Sequence, residues 1–252
     1  MKISIITATL NEAEALRRAL QSVADQHYDE LEHIVIDGMS TDDTARVVSE
    51  FPGVKYIRRQ RRGVYDALNY GFSIAEGDIL GFVHGNDLMP EGNILEVIGQ
   101  QFEADPELDF IYGDLRYVKP ASRKHVRIYY SGNFSPDQLC GGVVPPHPTL
   151  YIRTDAYKRV GDYRLDMPNA ADFDYWIRLF TNKSLKGKYL PMVLAEMTTG
   201  GRSTAFVSRI WYNNREKLKA LRLNGLPANP LRLLFKYFMV IKNIFTGPTY
   251  ER

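Results

Sequence analysis

The sequence predicts an α/β fold built on a mostly parallel sheet. Three observations carry this. Short β-branched runs alternate with segments of helical apolar spacing as far as Val83. The separations between runs suit βαβ units. A polar cluster also closes the runs, at the strand edge where such sheets bind ligands.

Taken in order, Lys2–Thr7 (KISIIT) is the first strand, and Leu16, Leu20 and Val23 then recur at helical spacing. His33–Asp37 (HIVID) is a second buried strand, followed by a Gly-Ser turn and a helix from about Asp42. Val54–Ile57 is a third strand, Val64–Ala75 a helix and Asp78–Val83 a fourth strand. The second half is less regular: Asp109–Val118 and Lys124–Tyr130 read as strands and Cys140–Pro148 as a Gly/Pro-rich loop. Asp172–Phe180 is a helix with an acid-rich start, which suits the helix dipole. Lys188–Leu194 is a last strand, and helices are expected over Phe206–Leu223 and Leu231–Phe245.

Composition narrows the class. The chain has 252 residues, 44% hydrophobic and 25% charged, as an ordinary soluble protein with a sizeable core does. Its single cysteine, Cys140, excludes an internal disulfide and suits a reducing compartment. No run of 18 or more apolar residues is present to span a bilayer, and Glu12 and Glu14 interrupt what would be a secretion signal. The expected location is the cytoplasm. Charge is uneven: residues 201–252 hold ten basic and two acidic residues, net +8, whereas residues 1–200 hold 22 basic and 28 acidic, net −6. An acidic body without a binding motif argues against nucleic acid as a partner. The basic tail suits an anionic surface.

Two polar clusters carry chemistry. Asp37-Gly38-Met39-Ser40-Thr41-Asp42-Asp43 closes the second strand. Its acid can accept from a ribose or base, and Ser40 or Thr41 can equally cap the following helix. His84-Gly85-Asn86-Asp87 closes the fourth, where a carboxylate on a loop can hold a hard divalent cation, and a polar turn is the plainer alternative. The run Arg58, Arg59, Arg61 and Arg62 reads as a solvated face, with a diphosphate or lipid headgroup as the other possibility.

In their order, TATLNEAEAL, SVADQHY, EHIVIDGMSTDDT and RRGVYDALNYGFSIAEGDILGFVHGNDLM resemble the family 2 glycosyltransferases of the GT-A fold. PPHPTLYIRTDAYKRVGDYR, AADFDYWIRL and KYLPMVLAEMTTGGRS look like the colanic-acid-type subgroup that builds bacterial surface polysaccharides. The resemblance covers residues 1–205, taken as the GT-A domain, and leaves 206–252 as a basic amphipathic helical extension.

The resemblance implies inverting transfer of a sugar from a nucleotide-diphosphate donor, a UDP-sugar, to a hydroxyl of a glycan or lipid-linked acceptor. Thr7, Thr9, Asn11 and Glu12 would line the nucleoside pocket and Asp37 would touch the base or ribose. Asp66 would face the donor or serve as a helix-start acid, and Asn86 would bind the nucleotide-sugar, its carboxamide oxygen still able to ligate. Asp87 would bind the bridging Mg²⁺ or Mn²⁺, although Asn86 stands where the family commonly has a second acid. Asp172 would be the catalytic base, with Ala171 where an acid often precedes it. Asp174 and Trp176 read as structural. His147 would contact the acceptor or a phosphate, or hold its loop. Two rivals follow. One is a non-catalytic sugar-nucleotide binding protein, kept open by Asn86 and Ala171. The other is a nucleotidyltransferase, which would want a Gly-rich basic loop after the first strand, where TATLNEAEA has none. The segment 206–252 is expected to touch an anionic membrane peripherally, placing the protein at the inner face of the cell membrane, with burial of its second helix in the fold or an oligomer interface as the alternative.

Overall fold

The computed structural model describes residues 1–60, 62–119, 122–199 and 206–233, with backbone only over 206–212. Its first half follows the expected alternation. β1 (Ile3–Thr9), α1 (Ala13–Ala24), β2 (Leu31–Asp37), α2 (Thr44–Ser49), β3 (Val54–Arg58), α3 (Val64–Ile74) and β4 (Ile79–Phe82) succeed one another. β3, β2, β1 and β4 lie side by side and pair in parallel.

These strands are apolar on both sides because helices cover both faces. Alternation along β1 sends Ile6 and Ala8 toward Ala67, Leu68 and Phe72 of α3. Ile3 and Ile5 go the other way, toward Ala19 and Val23 of α1. The same period puts Thr7 and Thr9 on the α1 side, with Thr9 nearer the strand's carboxyl end.

Beyond β4 the sheet becomes mixed. β5 (Asp87–Leu88), α4 (Ile94–Ala104), β6 (Phe110–Val118), β7 (His125–Tyr129), β8 (Tyr151–Arg153), α5 (Thr154–Val160), α6 (Ala171–Thr181) and β9 (Gly187–Thr198) complete the sheet and its cover. The sheet order is β3-β2-β1-β4-β8-β6-β9-β5, with β7 on β6. β8 runs antiparallel to both β4 and β6, and β5 antiparallel to β9, while β6 and β9 are parallel. Four of these elements were not read from the sequence. β5 and β8, at two and three residues, are too short to show a period. α4 follows Pro90 and Gly92, which mask its start, and α5, seven residues long, is too short for its apolar spacing to show. The Gly/Pro-rich segment forms tight turns at Pro136–Gly141 and His147–Thr149.

The antiparallel half brings α6 over the sheet. Trp176, fully buried, packs on Phe110, Tyr112 and Phe180 as a core residue. Asp174 is fully buried too, and its carboxylate takes Arg164, Arg178 and the Asn224 amide, a structural network as expected. The last element described is α7 (Phe206–Leu223). Ala220 and Leu221, with Leu233 beyond the helix, pack on Met167, Ala170, Phe173 and Ile177, so residues 220–233 share an apolar cluster with α6. The second tail helix, expected over Leu231–Phe245, is present over residues 230–233 and lies outside the described residues after Leu233. No helix among the described residues is long and apolar enough to cross a membrane.

Candidate active site

The site lies where the loops after β1, β2 and β4 meet. Asn11 adopts a left-handed conformation with φ 53°, which Asn tolerates better than most residues. In that pose its Oδ1 accepts from the Thr41 N–H at 2.8 Å, and its own N–H donates to Ser40 Oγ at 2.9 Å. The β1 and β2 loops are thus fastened together. Asp42 adds a second tie, accepting from the Ala13 N–H and from Thr44, whose hydroxyl holds the carboxyl below its usual range.

Asp37 is the hub beneath this pair of loops. It is fully buried; Oδ1 accepts from the Ser40 N–H and hydroxyl, and Oδ2 from the Tyr56 hydroxyl at 2.6 Å, with Arg58 Nε at 3.3 Å. A carboxylate offers about four acceptor positions. All are taken, so a base or ribose reaches Asp37 only in exchange for one of these partners. The half-exposed Arg58 is the easiest to displace. Thr7 lies deeper. Its hydroxyl bonds His33 Nε2 at 2.9 Å, and burial holds that imidazole neutral, down to about 4. The period of two along β1 thus leaves Thr7 inside the sheet and only Thr9 near the mouth.

Thr9, Glu12, Gly85 and Asp87 do come together. Gly85 sits so tightly under the β1 loop that a Cβ there would stand 3.2 Å from Thr9 Oγ1 and 3.3 Å from Glu12 Oε2. Thr9 Oγ1 is buried without a hydrogen-bond partner among the described residues. The Asp87 N–H bonds the His84 carbonyl in a tight turn, and pairing of β5 with β9 fixes the loop from below. Burial, and then the charge of Glu12, push the Asp87 carboxyl up to about 7. Asn86 joins this loop through its carbonyl, which accepts from the Thr198 hydroxyl at 2.9 Å. Among the described residues no group of three or more His, Cys, Asp or Glu side chains forms a protein-only metal cage. Two close carboxylates with an idle hydroxyl nonetheless fit a hard cation that completes its shell with water and phosphate oxygens.

Asp66 begins α3, where Oδ2 accepts from the Arg62 N–H and the Arg59 guanidinium. Arg59 also lies over the Tyr70 ring, at 4.3 Å. Arg58 and Arg59 are therefore paired with Asp37 and Asp66, not simply solvated, while Arg61 lies outside the described residues.

Asp172 opens α6, and its Oδ1 accepts from the Phe173 N–H at 2.7 Å. Tyr65, which the sequence reading passed over, meets it from α3: the Asp172 backbone N–H bonds the Tyr65 hydroxyl. Tyr65 then leads back to the loop after β4 through rings. His147 lies 6.0 Å from Tyr65, 4.4 Å from Phe82 and 6.3 Å from His84. Its Nε2 shares a hydrogen with the Tyr163 hydroxyl at 2.8 Å, and burial keeps it well below its usual range, hence neutral. A tyrosine directly before Asp66, at a helix start facing the ligand edge, was the available signal for Tyr65.

Residues 4–156, more than half of the chain, match the glycosyl transferase family 2 model. The chain belongs to that family. A PGL/p-HBAD biosynthesis glycosyltransferase of Mycobacterium tuberculosis is 31% identical over 212 residues, 82% of this chain and 80% of the relative. A second, uncharacterized glycosyltransferase of that organism is 31% identical over 193 residues, 70% of this chain and 68% of its own. Among solved structures, Staphylococcus aureus TarS 1–349 in complex with UDP-GlcNAc superposes with TM-score 0.69 at 20% identity, covering 89% of this chain and 65% of that one. Against the longer TarS chain the coverage is 42% of its length. The Pyrobaculum calidifontis mannosyltransferase PcManGT, in complex with GDP-Man and Mn²⁺, gives 0.62 at 18% identity, over 98% of this chain and 76% of its own. These likenesses establish the GT-A fold.

Burial of Asp87 makes a pH signature. Its carboxyl titrates near 7 folded against 3.8 in the open chain. The folded state therefore holds the proton more tightly, and ionisation destabilises the fold increasingly from about pH 4 until the group is fully charged above 7. The shift corresponds to roughly 4 kcal/mol at most. In EDTA, the thermal midpoint of the wild type should fall between pH 5 and 8 relative to Asp87→Asn. Parallel curves for the two proteins would refute the assignment.

Proposed function

We propose that the protein is an inverting glycosyltransferase that moves a sugar from a UDP-sugar to a hydroxyl of a glycan or lipid-linked acceptor in surface polysaccharide synthesis. The observation that carries this reading is the placement of Asp172. It stands at the start of α6 with its backbone tied to Tyr65, and a line of rings connects it to the loop bearing Asp87. Inversion needs one base to take the acceptor proton while the diphosphate leaves from the opposite face. Asp172 supplies that base. The cleft of Thr9, Glu12, Gly85 and Asp87 receives the donor, and the fastened Asn11 and Ser40 loops shape the nucleoside side. Asp87, with Glu12 close by, would hold Mg²⁺ or Mn²⁺, which when bound neutralises charge on the leaving diphosphate. The complexes of TarS with UDP-GlcNAc and PcManGT with GDP-Man and Mn²⁺ support a nucleotide-sugar donor and a divalent cation.

Asp172→Asn keeps the side chain's shape and removes its proton-accepting power. Turnover, read as UDP release from a UDP-sugar, should fall roughly 10²- to 10⁴-fold with donor affinity unchanged. Undiminished turnover would dismiss Asp172 as the base, and absence of any transfer or hydrolysis by the wild type would favour the non-catalytic binding reading.

Contact with the inner face of the cell membrane belongs to the same proposal. It rests on the +8 charge of residues 201–252, since each Lys or Arg near an anionic surface contributes about 1 kcal/mol. Because Leu233 packs with α6 and most of the charge lies before it, the comparison to make is the full-length protein with anionic against neutral liposomes. It should float with the anionic ones at low salt and be released at high salt. Equal flotation with both, or with neither, would end the claim.

A further inference from the structure

α6 begins without a side-chain cap of its own. Its cap position is Ala170, which has no side chain to bond the first turn, Ala171 follows, and within the turn Asp172 Oδ1 takes the Phe173 N–H. An alanine at a helix start leaves backbone donors to be satisfied elsewhere. The segment entering α6 is held instead by α7, which lies beyond the stretch matched by the family model. Glu216 of α7 accepts with both oxygens from a single residue: the Asn169 backbone N–H at 2.7 Å on Oε2, and the Asn169 amide at 2.9 Å on Oε1. Asn169 stands three residues before Asp172. Around this clamp, Lys219 pairs with Asp166 at 2.5 Å and Lys217 lies over the Phe173 ring at 5.1 Å. On the opposite side, the Tyr65 hydroxyl takes the Asp172 N–H. The start of α6 is thus gripped between α3 and α7.

We infer that Glu216 is a positioning residue for Asp172, making the described part of the basic extension a working part of the active site. This rests on Asp172 being the base. A carboxylate that accepts twice from one residue fixes both the position and the rotation of that residue, which a single ion pair does not. Lys219 holds the same segment through Asp166, by an exposed ion pair and a long contact to its carbonyl at 3.5 Å, so its loss should matter less. A base displaced by an ångström can lose two orders of magnitude in rate.

Two paired substitutions test this in the full-length protein. Asn169→Asp sets a carboxylate against Glu216 and should open the clamp. Adding Glu216→Gln restores complementarity, because the glutamine amide can donate to the new carboxylate while its oxygen keeps the Asn169-position N–H. By hydrogen–deuterium exchange, the amides of 170–173 in Asn169→Asp should exchange at least tenfold faster than wild type, with the rest of α6 unchanged and the double variant restored. In UDP release from the same UDP-sugar, kcat should fall about 10- to 100-fold with KM within twofold, again recovering in the double variant. Lys219→Ala should leave both readouts near wild type. Wild-type exchange in Asn169→Asp would overturn the positioning role whatever the identity of the base. So would an effect of Lys219→Ala equal to that of Asn169→Asp, or a raised KM at unchanged kcat. Failure of the base reading shows separately, as full turnover in Asp172→Asn.

Discussion

The site is organised around a carboxylate held out of water beside another. Asp87 is drawn into the protein by the pairing of β5 with β9 and faces the charge of Glu12. Such an arrangement is costly unless something positive completes it. Much nearby detail keeps this arrangement in place. Gly85 lets the β4 loop press under Thr9 and Glu12, where any side chain would crowd them. Asn11, in its left-handed pose, ties the β1 loop to Ser40 and Thr41. Asp37 then anchors Ser40 from beneath.

The mixed sheet explains how the rest of the chemistry reaches that spot. A parallel β3-β2-β1-β4 half supplies one ligand edge, as the alternating elements require. The antiparallel β8 and then α5 carry the chain back so that α6 covers the face lined by α3, before β9 returns to the sheet. Tyr65 and His147 fill the gap between these helices. His147 is neutral and bonded to Tyr163, so its position makes it a spacer in a ring-lined wall and not a charge-carrying group.

The first half of this fold was legible because its strands are long, β-branched and bounded by polar turns. The polar motifs after β1 and β4 marked loops that the fold brings together, where Thr9, Glu12 and Asp87 converge. The roles of Thr7 and Asp37 were harder to read. Residue type shows that a hydroxyl or carboxylate is present at a strand end, but not that His33 or the Ser40–Tyr56–Arg58 set already occupies it. β5 and β8 escaped because pairing, not periodicity, defines strands of two or three residues. Glu216 and Asn169 escaped for a related reason. Their bond joins residues 47 apart in sequence, and nothing local to either predicts it. The tail's charge drew attention to a surface, whereas its packing of Ala220, Leu221 and Leu233 is read only from the fold.

The central claim is that Asp87 and Glu12 form the anionic half of a donor site that a divalent cation completes. Calorimetric titration of UDP into the protein, with Mn²⁺ and then with EDTA, tests it most directly. Tight binding with Mn²⁺ that is lost in EDTA and in Asp87→Ala, but kept or strengthened in Asn86→Asp, is the predicted result. Equal binding of UDP by the wild type in Mn²⁺ and in EDTA would contradict it.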